Sequence, residues 1–226
     1  MNGKNILLIS QYFTPDITAA AFRIEDLYNA LKESGHNVKV ITTYPQKTVL
    51  EEVEELDDII RIAIKQVNKK NMLSYLLNFF GFMFASIYYS LFKIKNNKFD
   101  YIIVTSPPLF VALGGMIISK ILRSKLIVDI RDIWPDSAVA AKMISSKSLF
   151  YKISKVLERQ IYKSAYKITC VSKPMKMYIQ NEIRNAHVEI LYNGITDYDL
   201  KKEDDSNTSK EKDLNKNTII YAGNIG

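Results

Sequence analysis

The stretch VDIRDIWPD, residues 128–136, decides the fold, because it joins the end of an apolar strand to a loop rich in ionised side chains. In open parallel α/β sheets, ligands bind outside the carboxyl ends of the strands. The loop also carries the only tryptophan of the chain. We therefore expect chemistry or recognition at Asp129, Arg131, Asp132, Trp134 and Asp136.

A purely structural interpretation of the same loop stays open. Asp136 and Ser137 could cap the helix that follows, because Asp and Ser side chains accept hydrogen bonds from the first backbone amides of a helix. Arg131 could form an ion pair with Asp129 or Asp132. The spacing of these residues does not separate such roles from ligand binding.

Strands and helices alternate on both sides of this stretch. Short apolar runs predict buried strands, and segments with apolar residues along one side predict helices. This order is typical of the α/β class, here a Rossmann-like parallel sheet flanked by helices. The predicted strands are residues 5–10, 37–43, 60–67, 100–105, 125–130, 167–171 and 188–192, and the predicted helices are residues 18–34, 109–122, 148–166 and 172–183.

Composition narrows the class of protein. The 226 residues carry a formal net charge of +7, and 47% are hydrophobic, which is enough for one sizeable domain. Cys170 is the single cysteine, so an internal disulfide framework and a cysteine-rich zinc site are excluded. His36 and His187 have no second ligand at metal spacing, so no metal is expected. Residues 1–10 lack the features of a signal peptide, which predicts a cytoplasmic protein.

Residues 71–92 contain no charged side chain over a length that could cross a bilayer. The surrounding residues 61–100 contain seven Lys and Arg side chains and one acidic residue, Asp100. Three interpretations stay open: a helix lying in the membrane interface, an apolar core helix and a spanning helix. A span fits worst, because it would divide the strands of one sheet between two compartments. For an interfacial helix we expect membrane contacts at Leu76, Phe79, Phe80, Phe82, Phe84, Lys70 and Lys93.

Three segments organise the chain. Residues 1–196 form the predicted Rossmann-like domain, which includes the membrane-associating helix at about residues 71–92. Residues 197–217 are rich in charge and are interpreted as a linker. Residues 218–226 resume a strand and a glycine turn of the kind that cradles a phosphate, which we interpret as the start of a second, truncated domain.

Several motifs occur together and in order: ILLISQYFTPDITAAAFRIEDLYNALKESGHNVKVITTYP at 6–45, VTSPPLF at 104–110, VDIRDIWPDSAV at 128–139, LERQIYKSAYKITCVSKPM at 157–175 and LYNGI at 191–195. This pattern resembles family-4 glycosyltransferases of the GT-B fold, especially those that build bacterial capsule, O-antigen and exopolysaccharide on a lipid carrier. One departure is the first loop, where many relatives have a glycine pair and this chain has TAAA at 18–21. That difference weakens the case for a backbone phosphate cradle in this loop.

The resemblance implies two facing Rossmann-like domains, of which this chain supplies the one that binds the acceptor. The nucleotide-sugar donor binds the other domain, and Gly223, Asn224 and Gly226 would form part of its diphosphate site. The resemblance also implies transfer with retention, without a metal and with no cofactor other than the nucleotide-sugar co-substrate.

The resemblance and the strand-end positions together nominate the site residues. Asp16, Asp132 and Asp136 are the expected catalytic carboxylates. Arg131 or Arg23 would hold a lipid-linked diphosphate, and Trp134 would stack on a sugar ring or cover the acceptor. Structural alternatives stay open. Pro107 and Pro108 could serve merely to set a turn, and Arg23 could serve merely to pair with a neighbour on its own helix. The full substrate-binding set is Tyr12, Pro15, Arg23, Ser106, Pro107, Pro108, Arg131 and Trp134.

The resulting hypothesis is a glycosyltransferase of bacterial surface polysaccharide synthesis. Its acceptor would be linked to polyprenyl diphosphate, and the chain would lie peripherally on the inner face of the cell membrane, inactive without a donor domain. The alternative is a non-catalytic membrane-anchoring subunit of a split enzyme, with a separate donor-domain protein as its partner. An anionic membrane surface is an expected partner. Nucleic acid is not, because the basic residues flank an apolar helix instead of forming an aromatic-interleaved stripe.

Overall fold

Seven parallel strands form one sheet in the computed structural model, which describes residues 3–45, 56–64, 72–95 and 98–194. The described residues belong to one unit, Met1–Gly194. The predicted linker at 197–217 and the predicted strand and glycine turn at 218–226 lie outside them.

The order of the strands puts the start of the chain in the middle of the sheet. From one edge to the other the order is β3-β2-β1-β4-β5-β6-β7, and every neighbouring pair is parallel. The chain therefore reverses its direction of winding between β1 and β4, which is where ligands bind in sheets of this kind. The predicted α/β fold is confirmed. The strands are Asn5–Ile9 (β1), Asn37–Thr43 (β2), Ile59–Ile62 (β3), Tyr101–Ser106 (β4), Lys125–Ile130 (β5), Lys167–Cys170 (β6) and Val188–Ile190 (β7).

Helices connect these strands, and several begin at a hydroxyl side chain. Thr18, Ser148 and Ser172 each accept a hydrogen bond from a backbone N–H of the first turn, as N-cap residues do. A short helix lies at Asp136–Ala140, where the sequence left a helix open only as an alternative and without bounds. The helices are Ala19–Glu33 (α1), Met72–Tyr88 (α2), Leu109–Leu122 (α3), Asp136–Ala140 (α4), Leu149–Ser164 (α5) and Lys173–Glu182 (α6), and a π-helical turn, Tyr89–Lys93, extends α2.

The central strands are buried on both faces, which explains their continuous apolar sequences. In β1, Ile6 and Leu8 belong to the cluster that packs with Ile24 of α1. The alternate residues, Leu7 and Ile9, belong to the larger cluster on the other face, which includes residues of α2, α3 and α5. One face of the sheet is thus covered by α1, and the other by a layer that contains α2, α3 and α5.

The helix α2 lies within that second layer and has two different sides. Phe82 is fully buried in the core, whereas Phe84 and Phe92 are 64% and 73% exposed. The buried hydroxyls of Ser86 and Ser90 donate to the carbonyl oxygens of Met83 and Ser86, so they need no partner from outside the helix. Among the described residues, Leu76–Lys93 has the length and apolar composition of a membrane-crossing helix, a property that core helices share, and 28% of it is buried.

The predicted membrane residues of α2 are therefore divided between its two sides. Phe84 points outward, but Phe82 lies in the core and cannot contact a membrane in this structure. Phe80 is partly buried, and its ring packs on Phe110 with centroids 4.1 Å apart. Lys93 closes the π-helical turn, with its ammonium 5.9 Å from the ring centroid of Tyr88. Lys70 lies outside the described residues.

The contact between α3 and the sheet depends on Gly115. A Cβ atom added there would lie 2.1 Å from Cγ1 of Val104, which is fully buried on β4. The absence of a side chain thus sets how closely α3 approaches the strand.

We expect Gly115→Ala to lower the free energy of unfolding by about 1–3 kcal/mol, because the added methyl group would overlap the side chain of Val104. Gly81→Ala is the matched control, since Gly81 is exposed on α2 and an added Cβ would meet nothing closer than 3.9 Å. It should be neutral or stabilising by up to about 1 kcal/mol. Urea unfolding followed by circular dichroism measures both, and equal effects would contradict the close-contact explanation.

Candidate functional site

Three loops meet at the carboxyl edge of the sheet, because β1, β4 and β5 are adjacent. The backbone N–H of Arg131 donates to the carbonyl oxygen of Ser106, at 2.9 Å, and joins the loop after β5 to the turn after β4. The hydroxyl of Thr105 lies 3.4 Å from that of Ser10, where the first loop begins. The peptide bonds before four prolines of these loops are cis: Pro15, Pro107, Pro108 and Pro135.

An apolar pocket of about 710 Å³ lies beside these loops. The indole of Trp134 forms one part of its wall and meets the ring of Phe150 edge-on, with centroids 5.8 Å apart. Leu76 and Phe79 of α2, two residues that were predicted to touch a membrane, form another part of the wall. We call it the apolar pocket. Its lining residues are Tyr12, Leu76, Phe79, Pro107, Pro108, Leu109, Phe110, Trp134, Ala138, Met143, Ile144 and Phe150.

The apolar pocket brings together four residues of the predicted substrate-binding set: Tyr12, Pro107, Pro108 and Trp134. Sequence reasoning missed the wall formed by Met143, Ile144 and Phe150. The segment between residues 141 and 148 has neither helical nor strand periodicity, so the sequence offered only its apolar side chains as a signal.

A buried ion pair lies behind the loops. The guanidinium of Arg23 donates from Nε and Nη2 to the two carboxylate oxygens of Asp129, at 2.9 and 2.8 Å. It also donates to the side-chain oxygen of Asn193, at 2.8 Å, and to the carbonyl oxygen of Leu191, at 2.9 Å. Thr169 donates its hydroxyl hydrogen to Asp129, at 2.7 Å. Arg23 therefore joins α1, β5 and the residues after β7, and its partner lies on the sheet instead of on its own helix.

The protonation state of this pair follows from its contacts. Burial raises the pKa of Asp129, but hydrogen bonds from Arg23 and Thr169 and the positive charge of Arg23 outweigh burial, so the pKa lies below its ordinary value. The hydrogen bond with Asp129 raises the pKa of Arg23. Both groups are thus charged at neutral pH.

Arg131 is the second arginine predicted to hold a diphosphate. Its Nε lies 3.4 Å from a carboxylate oxygen of Asp129, so the pairing with Asp129 that was left open from the sequence is present. Its Nη2 atom is buried and has no hydrogen-bond partner within the described part of the chain. Four of the five N–H groups of Arg23 already have partners in the protein, so Arg131 has more freedom to bind a ligand oxygen.

The carboxylate of Asp136 is held by three side chains. The hydroxyls of Tyr151 and Tyr178 donate to it, the first at 2.6 Å, and the ammonium of Lys155 lies 3.2 Å away. Burial raises the pKa of Asp136, but these hydrogen bonds and the charge of Lys155 outweigh burial and lower it. Asp136 does not cap α4, because Pro135 occupies the N-cap position. It is an ionised, firmly positioned carboxylate.

The same network continues into the interior. Lys155 also pairs with Glu158, which is fully buried and accepts a hydrogen bond from the hydroxyl of Tyr162, at 3.1 Å. Burial raises the pKa of Glu158, and Lys155 only partly opposes it. This ion pair links the position of Asp136 to the packing of α5.

Asp132 lies on a second, smaller cavity of about 420 Å³, which we call the aspartate pocket. Asp132 is exposed to solvent, unlike Asp136. Of the three predicted catalytic carboxylates, these two share one cavity. The lining residues of the aspartate pocket are Asp132, Ile133, Asp136, Ser137, Ala140, Pro174, Met175 and Tyr178.

Asp16, the third predicted carboxylate, is buried in the first loop and lies next to an arginine that the sequence did not nominate. Arg61 of β3 donates from Nη2 to the carbonyl oxygen of Thr14, at 2.8 Å. Burial lowers the pKa of Arg61, and the negative charge of Asp16 partly opposes this change. Arg61 lay in an alternating strand pattern, which gave no sign that its side chain would reach the first loop.

The remaining predicted residues are placed as follows. Pro15 is partly buried in the first loop, and Ser106 is buried at the end of β4. The predicted donor residues, Gly223, Asn224 and Gly226, lie outside the described residues. Within the described residues, no group of three His, Cys, Asp or Glu side chains is placed to hold a metal ion.

Residues 20–197 match the model of the family described as Glycosyltransferase Family 4. One similar solved structure is sucrose-phosphate synthase from Thermosynechococcus elongatus, with 12% sequence identity and a TM-score of 0.54; the match covers 85% of this chain and 49% of the synthase chain. Another is HepE from Anabaena in complex with UDP-glucose, with 13% sequence identity and a TM-score of 0.49; the match covers 89% of this chain and 49% of the HepE chain. No curated protein sequence matches the chain. The chain spans about half the length of both structures. The first likeness shows the fold, that of the N-terminal domain of GT-B glycosyltransferases.

We expect Asp129→Asn to lower the free energy of unfolding by about 3–5 kcal/mol, because it leaves the buried Arg23 without its counter-charge. Since the folded-state pKa of Asp129 is depressed, its contribution is complete above the unfolded value of about 3.9 and is lost as the pH falls through the folded value. The wild-type protein should therefore lose stability below about pH 4, and the variant should lack this part of the loss.

Urea unfolding over a series of pH values measures this difference. Glu189→Gln is the control, because Glu189 is 52% exposed and its contacts with Lys167 and His187 both lie at the surface. It should cost less than about 1 kcal/mol. An Asp129→Asn variant as stable as this control would contradict the role of the buried pair.

Proposed function

This chain belongs to glycosyltransferase family 4, and we propose that it supplies the acceptor-binding half of an enzyme that transfers a sugar from a nucleotide-sugar donor to a lipid-linked acceptor. The acceptor is a sugar on polyprenyl diphosphate, and the product enters a bacterial surface polysaccharide such as a capsule or an O-antigen. The protein works at the inner face of the cell membrane, where such a lipid presents its head group.

The apolar pocket is the observation that carries this proposal. A sugar or a nucleotide needs hydrogen-bond partners, but only Tyr12 and Trp134 bring side-chain polar atoms to the lining. Its volume of about 710 Å³ lies within the usual range for small-ligand sites, about 300–1,000 Å³. A pocket of this size and chemistry suits a hydrocarbon chain. Its position at the carboxyl edge would place the head group of the same lipid near the loop after β5.

Charged groups in and behind that loop have separate roles in binding the head group. We assign the diphosphate of the acceptor lipid to Arg131, because its buried Nη2 has no hydrogen-bond partner among the residues that the structure describes and a guanidinium suits phosphate oxygens. Arg23 acts instead as a positioning residue that holds Asp129 and, through it, Arg131. Trp134, in the wall of the apolar pocket, separates the hydrocarbon chain of the lipid from the sugar.

The carboxylates then act on the two reacting sugars. Asp132, which is exposed on the aspartate pocket, orients the acceptor hydroxyl, and the ionised Asp136 stabilises the positive charge that develops on the donor sugar in an oxocarbenium-like transition state. Asp16 is buried in the first loop, where its negative charge acts on the nearby Arg61. Transfer proceeds with retention and without a metal, and the donor binds a second domain. These roles extend the family assignment to this chain's own residues.

The acceptor assignment predicts a chain-length effect. Ala138→Leu would fill part of the apolar pocket, since Ala138 is 7% exposed and lines it. For an acceptor with a long polyprenyl chain, KM should rise about tenfold, which corresponds to about 1.4 kcal/mol of lost binding. For an acceptor with a short, water-soluble chain, KM should change little.

Kinetics of the full-length protein with the two acceptors measure this effect, after a panel of radiolabelled nucleotide sugars has identified the donor. Ala30→Leu, at an exposed position of α1 on the other face of the sheet, is the matched control and should leave both constants unchanged. An equal loss with both acceptors would argue against a chain in the apolar pocket. Acceptor binding without transfer from any donor would favour the non-catalytic anchoring subunit.

A further inference from the structure

The segment from α4 to α6 has an unusual charge distribution. Residues 136–182 contain nine Lys and Arg side chains and three acidic residues, Asp136, Glu158 and Glu182. Glu158 is fully buried and pairs with Lys155, whereas Asp136 and Glu182, at the two ends, pair with Lys155 and Arg159, so the surface between these ends carries no negative side chain. Lys142, Lys147 and Lys152 are all exposed to solvent. This part of the surface is positive along its whole length.

Exposed apolar side chains accompany those lysines. Leu149, Ile153 and Val156 of α5 are 72%, 50% and 58% exposed, and their spacing of four and three residues puts them on one side of the helix. Met143, in the loop before α5, is 71% exposed. We call this set the α5 surface: Lys142, Met143, Lys147, Leu149, Lys152, Ile153 and Val156.

The α5 surface borders the apolar pocket. Met143 belongs to both, and Phe150, the neighbour of Leu149, also lines the pocket. The helix α3 packs against both α2 and α5, so the exposed side chains of Leu77 and Phe84 on α2 lie in the same helical layer. An apolar ligand of the pocket would therefore leave or enter beside a surface that is itself apolar and positive.

We propose that the α5 surface docks on an anionic lipid bilayer, with its apolar stripe at the acyl boundary and its lysines at the phosphate groups. The positive charge of the α5 surface favours a bilayer over a second copy of the protein. A second copy of the chain would bring like charges together across a two-fold interface, and a bilayer containing anionic lipid complements them. Membrane contact is thus shared between α2 and a second helix that the uncharged sequence pattern did not reveal.

The purpose of this docking rests on the proposed function, since it would bring the apolar pocket to a membrane-borne acceptor. The docking itself does not, and vesicle binding tests it separately from sugar transfer. If sugar transfer fails and vesicle binding succeeds, only the proposed function is overturned. If vesicle binding fails and sugar transfer succeeds, only the docking proposal is overturned.

The first experiment is co-sedimentation of the full-length protein with vesicles of phosphatidylglycerol and phosphatidylcholine, compared with phosphatidylcholine alone. Leu149→Gln, Ile153→Gln and Val156→Gln together should weaken binding at least about tenfold. Lys142→Gln, Lys147→Gln and Lys152→Gln together should weaken it about fivefold for each lysine, and only with the anionic vesicles. Phe22→Gln, at an exposed apolar residue of α1 on the other face, is the control and should bind like the wild type.

A second measurement locates the contact. Cys170, the single cysteine of this sequence, is buried, so Ile153→Cys can be labelled with an environment-sensitive fluorophore. Its emission should shift to the blue with anionic vesicles, and the same label at Phe22→Cys should not shift. No shift at position 153 while the protein still co-sediments would overturn the proposal, because α2 alone would then hold the membrane. Vesicle-independent dimerisation that the α5 variants abolish would overturn it in favour of a second copy.

Discussion

The carboxylate of Asp129 is the group on which the arrangement of the site depends. It is almost fully buried at the end of a central strand, where an unpaired charge would be very unfavourable. Its hydrogen bonds come from Arg23 on the first helix and Thr169 on the next strand, and Arg131 of its own loop lies close by. Satisfying this one charge requires the helix, the two strands and the loop to be in place together.

The loop that Asp129 holds in place lies between two cavities at the same edge of the sheet. On one side of the loop after β5, Trp134 belongs to a wall of apolar side chains, and on the other side Asp132 and Asp136 bring two carboxylates to the aspartate pocket. The loop is short, so the two cavities are only a few residues apart. A molecule with an apolar end and a polar end is the kind of ligand that such an arrangement suits. The buried ion pair keeps the boundary between the two cavities fixed.

The sequence predicted the parts of the structure that depend on local patterns. Buried strands, most helices and the three strand-end loops follow from apolar runs and from the alternation of elements, because those signals lie within a few residues of one another. The partner of Arg23 did not follow, since it lies 106 residues away and the contact depends on the strand order. Arg61 was missed for the same reason. The orientation of α2 was predicted only in part, because Phe82 and Phe84 look alike in sequence and only packing makes one of them a core residue.

The two sides of α2 also bear on how the protein behaves outside a cell. This helix and the π-helical turn that extends it bury Asn78, Ser86 and Ser90 and leave Leu77, Phe84 and Phe92 in contact with solvent. In pure water those exposed side chains favour self-association, because aggregation is the only way to remove them from the solvent. A mild detergent or lipid nanodisc supplies another way. Contact of these side chains with an amphiphile would therefore compete with self-association.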